Sequence, residues 1–211
     1  MPRRDPRSPL TVVNRFTVKG DPADFEEGFR EHCQFLRARD GFAFLVTLRL
    51  LERDHVYVHL GHWHALGAFL DTVREPDFQD QVRRLGPLVD TEADQAYSVG
   101  RTLYAEAVAG APNVVLVRAV LRTEGERPFF ERKFAALGAH CAELGGFGGT
   151  DLLRSTVYPL AYTGLQWWRE EEDCERALGD VGYRNGLRFL SELAAVSTER
   201  TRHVAYERTT G

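Results

Sequence analysis

Hydrophobic and polar positions alternate in two rhythms along this chain. Thr11 to Val18 is rich in Val, Thr and Phe and predicts a strand. Phe25, Phe29, Cys33 and Leu36 then recur at helical spacing across 21–36, with Asp21 or Asp24 available as the cap. Phe42, Phe44, Val46, Leu48 and Leu50 alternate along one face of a second strand, and Glu52-Arg53-Asp54 is a polar turn before a third strand, His55 to Trp63. Leu66, Phe69, Leu70 and Val73 predict a helix, Pro76 opens another carrying Phe78, Val82 and Leu85, and a strand follows near Gln95 to Glu106. The order is β-α-β-β-α-β, the ferredoxin-like unit.

That order occurs twice. An ungapped offset of 105 residues carries Phe25 onto Phe130, Glu26 onto Glu131 and Phe29 onto Phe134. It also carries Gly41-Phe42 onto Gly146-Phe147, Arg49 onto Arg154, Tyr57 onto Tyr162, Trp63 onto Trp168 and Leu85 onto Leu190. Matching strands are expected near Val114–Leu121, Gly149–Ser155, Tyr158–Trp168 and Arg202–Glu207. The division this suggests is a disordered arm over 1–9, a first domain over 10–108, a linker over 109–112 and a second domain over 113–211. A four-stranded sheet covered by helices on one face must bury its other face. Two fused copies do so within one chain, so the expected fold is α+β, tandem ferredoxin-like units forming a pseudo-dimeric α/β barrel, with further oligomerisation left open.

Composition narrows the function. The formal charge is -4 in 211 residues, which offers no general attraction to nucleic acid or anionic membranes. The cysteines, Cys33, Cys141 and Cys174, form no CxxC pair, so neither a disulfide framework nor a structural zinc site is expected. No apolar run approaches the roughly 20 residues of a membrane helix. A cytoplasmic protein with a small-molecule partner is the expectation.

Candidate chemistry concentrates in His55-Val-Tyr-Val-His59-Leu-Gly-His62-Trp63-His64. In a strand, His55, Tyr57, His59, Gly61 and Trp63 share a face, and Gly61 leaves a gap between imidazole and indole that suits a planar aromatic ligand. His62 and His64 face the other way and no acidic residue or Cys lies in the run, so no metal site is expected. His59 is either a packed polar residue or a functional one. Asn14, inside an otherwise apolar strand, either makes a structural hydrogen bond or offers its amide to a substrate oxygen.

Val13-Asn14-Arg15-Phe16, Gly41-Phe42, Gly61-His62-Trp63 with Ala68-Phe69, and Pro76-Asp77-Phe78 together resemble the antibiotic biosynthesis monooxygenase superfamily. The resemblance implies dimeric α/β barrels and, in one branch, oxidation of anthrone-type polyketides to quinones by O2 without metal or flavin. It maps the first-strand Asn of the family onto Asn14, with Ala119 in the second half, and the family Trp onto Trp63 and Trp168. Quinone-forming members have an Asn four residues before that Trp, where this chain has His59 and Gly164. Their Arg twenty residues after the Trp corresponds to Arg83 and Arg188, and their Tyr six residues after it to Phe69 and Cys174. In the heme-degrading branch an axial His occupies the positions of Val82 and Leu187, neither of which can ligate iron.

The resemblance therefore implies an aromatic polyketide monooxygenase with an active first half and a partly degenerate second. O2 is the co-substrate and no cofactor is needed. His59 is the base, with a pKa near the working pH. Asn14 holds the phenolate or peroxide, and Arg83 stabilises developing charge. Trp63, Tyr57, Phe69, Trp168 and Arg188 bind substrate. Two other readings stay open: a ring-cleaving or ring-contracting oxygenase using reduced flavin, and a non-catalytic aromatic-ligand or cyclase-assisting protein.

Overall fold

The computed structural model describes residues 4–204. By its internal contacts the chain forms two compact units, one running to Gln95 and including Val204, the other Ala96–His203. The division falls inside a strand, upstream of the 109–112 segment expected as a linker.

The first unit holds β1 (Leu10–Val18), α1 (Pro22–Arg37), β2 (Phe42–Leu50), β3 (Val56–Trp63), α2 (Leu66–Thr72), α3 (Pro76–Leu85) and the start of β4 (Val89–Leu103). Asp21 is the cap of α1 and accepts the Ala23 amide at 2.8 Å. β3 is central, antiparallel to β1 on one side and to β2 on the other. It is buried along its whole length, as a middle strand covered on both faces must be. On one sheet face Phe16 and Tyr57 pack against Phe25, Phe29 and Cys33 of α1. Near the Trp63 end, Leu10, Trp63, Leu36 and Leu66 form a second cluster. Lys19 and Asp90 pair at 2.7 Å, tying the end of β1 to the start of β4. In the arm, the carbonyls of Pro6 and Ser8 accept the amides of Gly67 and Leu66, so these residues lie along the first turn of α2.

The second unit repeats the order with the rest of β4, β5 (Val114–Leu121), α4 (Arg127–Glu143), β6 (Phe147–Ser155), β7 (Ala161–Trp168), α5 (Glu171–Gly179), α6 (Val181–Leu193) and β8 (Ala194–His203). Its antiparallel sheet runs β4-β6-β7-β5-β8. α4 and α6 cover one face through Phe130, Phe134, Leu137, Tyr183 and Leu190. The protein is thus α+β, built from tandem ferredoxin-like units.

Three local expectations change. Phe42 and Phe44 do not share a face, because the β2–β3 register shifts between them: Phe42 pairs with Trp63, Phe44 with His62. β4 begins at Val89, six residues before Gln95. β8 begins at Ala194 directly after α6, not at Arg202, and part of the expected 202–207 segment lies outside the described residues.

Candidate active site

The β1–β3–β2 register sets side chains in rows across the sheet. Asn14, His59 and Thr47 form one row, Val12, Gly61 and Leu45 the next, and Leu10, Trp63 and Phe42 the third. Directly paired residues project to the same face, here the face covered by α1.

His59 is 2 % exposed. Its Nδ1 lies 3.0 Å from Thr47 Oγ1, and its ring meets the Phe29 ring edge-on at 5.0 Å. Its Nε2 is buried with no hydrogen-bond partner among the described residues. Burial, reinforced by the neighbouring His32 and His62, pushes the imidazole down to about 3. His59 is therefore neutral across any working pH. This departs from the expectation of a pKa near that pH; the cause is desolvation without an acidic partner.

Gly61 marks where the walls converge. A Cβ placed there would stand 3.5 Å from His59 Nε2, 3.7 Å from Phe42 Cε2 and 3.8 Å from Trp63 Nε1. An imidazole nitrogen, an indole N–H and an aromatic edge thus surround the Gly61 position. Phe42 packs on Trp63 at 4.9 Å and Phe69 of α2 at 5.7 Å, fixing the indole plane. Phe29 and His32 of α1, with Phe78 and Gln81 of α3, form the adjoining helix wall; His32 and Phe78 stand 5.5 Å apart.

Of the sequence candidates, His59, Asn14, Trp63 and Phe69 come together in this region. Tyr57, on the same strand face, is committed elsewhere: its hydroxyl donates to Glu26 at 2.5 Å, and Arg49 pairs with the same carboxylate oxygen at 3.3 Å. Burial and that carboxylate raise the phenol far above its usual range. Arg83 does not join the site. It points from α3 into solvent, 73 % exposed, and pairs with Asp80 at 2.6 Å. Arg188 is exposed beside Phe189, and Trp168 is fully buried in the second-unit core. Val82 is 47 % exposed. His62 lies on the opposite sheet face, bonded to Thr11 at 2.9 Å, and among the described residues no three His, Cys, Asp or Glu gather for a metal.

The sequence pattern does not single out Thr47, His32 and Gln81. His32 sits on the Phe25–Phe29–Leu36 stripe of α1, so its helical spacing was the available signal. Thr47 required the cross-strand register.

The second unit differs at the corresponding positions. A Cβ on Gly164, matching His59, would lie 2.5 Å from Phe134 Cζ. Gln166, matching Gly61, is buried and accepts from the Tyr183 hydroxyl at 2.9 Å. Trp168 packs between Phe147 at 5.5 Å and Tyr183 at 6.2 Å.

No protein-family model matches the chain. It is 35 % identical over 83 residues to the deoxynogalonate monooxygenase of Streptomyces nogalater, covering 39 % of this chain and 70 % of that protein. Among solved structures, an anthrone oxidase-like protein superposes with a TM-score of 0.72 at 12 % identity, over 94 % of this chain and 92 % of the other. A protein of Fusobacterium nucleatum provisionally called a monooxygenase superposes with a TM-score of 0.75 at 9 % identity, over 94 % and 93 %. At such identities these two likenesses speak to the fold alone. The Streptomyces relative carries the assignment: the chain belongs to the antibiotic biosynthesis monooxygenase superfamily. It is an oxygenase of the polyketide-tailoring type.

Proposed function

We propose that the first unit oxidises an electron-rich phenolic ring of an aromatic polyketide, of anthrone type, to a quinone with O2 and without a cofactor. The observation carrying this reading is the convergence of an unpartnered His59 Nε2 and the Trp63 indole on the gap at Gly61. A buried polar atom without a partner costs about 1–3 kcal/mol. Such a cost is explained when a ligand supplies the missing hydrogen bond.

Accepting a proton at Nε2 requires the tautomer in which Nδ1–H donates to Thr47 Oγ1. The substrate proton moves to Nε2, and the anion left behind stays against the new imidazolium, because a lone charge is not tolerated there. Asn14, opposite His59 on β1, offers its amide to the anionic oxygen. The anion passes one electron to O2. Substrate radical and superoxide combine into a peroxide, which recovers the proton from His59. Loss of water, taking the remaining C–H hydrogen, leaves the carbonyl. One O2 thus yields one quinone oxygen and one water. Arg83 takes no part in these steps.

The test is O2 uptake with 1,8-dihydroxyanthrone. His59→Ala should lower turnover by about 10²–10⁴-fold, the usual range for loss of a general base. Trp168→Phe should leave turnover within about threefold. Equal losses move the reaction out of the first unit. Stoichiometric consumption of added reduced flavin makes the protein a flavin-dependent oxygenase instead. Tight anthrone binding without O2 uptake makes it a binding protein.

A further inference from the structure

Resting on that reading, we propose that His32 is a positioning residue for a second substrate oxygen, so that the site selects anthrones bearing a ring hydroxyl group. His32 is 8 % exposed, and its Nδ1 stands 2.7 Å from Gln81 Oε1. A carbonyl oxygen can only accept, so Nδ1 carries the hydrogen and Nε2 keeps its lone pair. The rings of His32 and His59 lie against the same Phe29 ring, at 5.9 Å and 5.0 Å. They are close enough that His32 adds to burial in disfavouring a charge on His59. Burial also lowers the pKa of His32, so it stays a neutral acceptor. The first unit therefore holds two neutral imidazole acceptors on one aromatic wall, one on the sheet and one on the helix. A hydroxyl donating to His32 fixes the ring in its plane while His59 takes the reacting proton.

The second unit shows that the fold does not need the His32–Gln81 pair. Leu137 and Gly186 occupy the matching positions, and Leu137 Cδ1 lies 2.6 Å from where a Gly186 Cβ would stand. An apolar contact thus joins α4 to α6 where a hydrogen bond joins α1 to α3. The polar pair is absent in the unit that also lacks His59, so packing of the two helices does not by itself require it.

The experiment is anaerobic equilibrium binding, which excludes turnover, comparing 1-hydroxyanthrone with anthrone. The unmodified protein should prefer the hydroxylated ligand about tenfold, the worth of one hydrogen bond. His32→Leu should abolish that preference by weakening the hydroxylated ligand alone, and His32→Gln, which keeps an acceptor, should restore part of it. Affinity for anthrone should not move, as it would if His32 only propped the helices. Equal affinities in the unmodified protein overturn the proposal whether or not the leucine variant folds. If they are equal while His59→Ala still abolishes turnover, the proposed function stands and only the role of His32 falls. If neither anthrone binds or turns over, both fall.

Discussion

Both units build the same hydrogen-bonded triad. Tyr57 donates to Glu26, which Arg49 also engages; Tyr162 donates to Glu131 at 2.7 Å, which Arg154 engages at 3.1 Å. Three of the pairs related by the 105-residue offset are therefore one structural device, joining a helix to two strands in each unit. One row further along the sheet the units part. The first carries Asn14, His59 and Thr47, the second Val117, Gly164 and Leu152. The next row inverts the contrast, since Gly61 leaves space and Gln166 fills it. Duplication preserved what holds helix to sheet. At the rows where the first unit sets His59 and Gly61, the second sets Phe134 against Gly164 and a buried Gln166 bonded to Tyr183.

The largest contrast is expected from the same mutation made in each unit. In Gly61→Ala the new methyl meets its neighbours at 3.5–3.8 Å, ordinary contact distances, so the protein should fold with little change in melting temperature. The methyl sits where the ligand is proposed to lie, and anthrone turnover should fall at least about tenfold, the effect of a misplaced substrate. In Gly164→Ala the methyl would fall 2.5 Å from Phe134 Cζ and 2.6 Å from Cε2 of a fully buried ring. Overpacking of this kind costs about 1–3 kcal/mol. Denaturant melts should show that loss while turnover per folded molecule stays unchanged. A Gly61→Ala enzyme as active as the parent would remove the gap from the mechanism.

The loss of stability on mild acidification should also belong to the first unit. The folded value for His59, about 3, lies below its ordinary 6.5, so between those values the unfolded chain binds the proton and the folded chain does not. Stability is then fully present above about pH 6.5 and declines as pH falls towards 3, with a slope of up to about 1.4 kcal/mol per pH unit for one proton. His32 is shifted in the same direction and adds to it. The matching second-unit residues, Gly164 and Leu137, do not titrate. Urea melts at pH 7 and pH 4.5 should therefore differ less for His59→Gln than for the parent; an unchanged difference would mean that His59 is protonated in the folded protein.

The sequence made much of this legible where one periodicity suffices. Strand alternation puts His59, Gly61 and Trp63 on one face, and the repeat reveals itself by an offset without gaps. What needed a second element stayed hidden. Thr47 becomes a partner of His59 only through the β2–β3 register, and Phe42 reaches the Trp63 face only because that register shifts. The start of β8 carries no turn signal, since α6 ends at Leu193 and the strand begins at Ala194. Spacing along the chain from Trp63 points to Arg83, whereas a helix presents its residues by angle. Two residues after Gln81 is a rotation of about 200°, so with Gln81 turned towards His32, Arg83 must turn away.

The smallest effect follows from that rotation. Arg83→Ala removes a side chain that is 73 % exposed and paired only one helical turn away with Asp80, itself 60 % exposed. Pairs of this kind contribute about 0.3–0.5 kcal/mol on a helix surface. Stability should therefore change by no more than about 0.5 kcal/mol, and anthrone turnover should stay within about twofold. Arg188→Ala, at the matching exposed position beside Phe189, should behave alike, because in both units the arginine lies on the solvent side of its helix. Steady-state rates for the two variants, set beside His59→Ala, separate a residue that lines the gap from one that shares only its spacing along the chain. A loss beyond about tenfold for Arg83→Ala alone would show that α3 turns inward when substrate binds, and would return that arginine to the reaction.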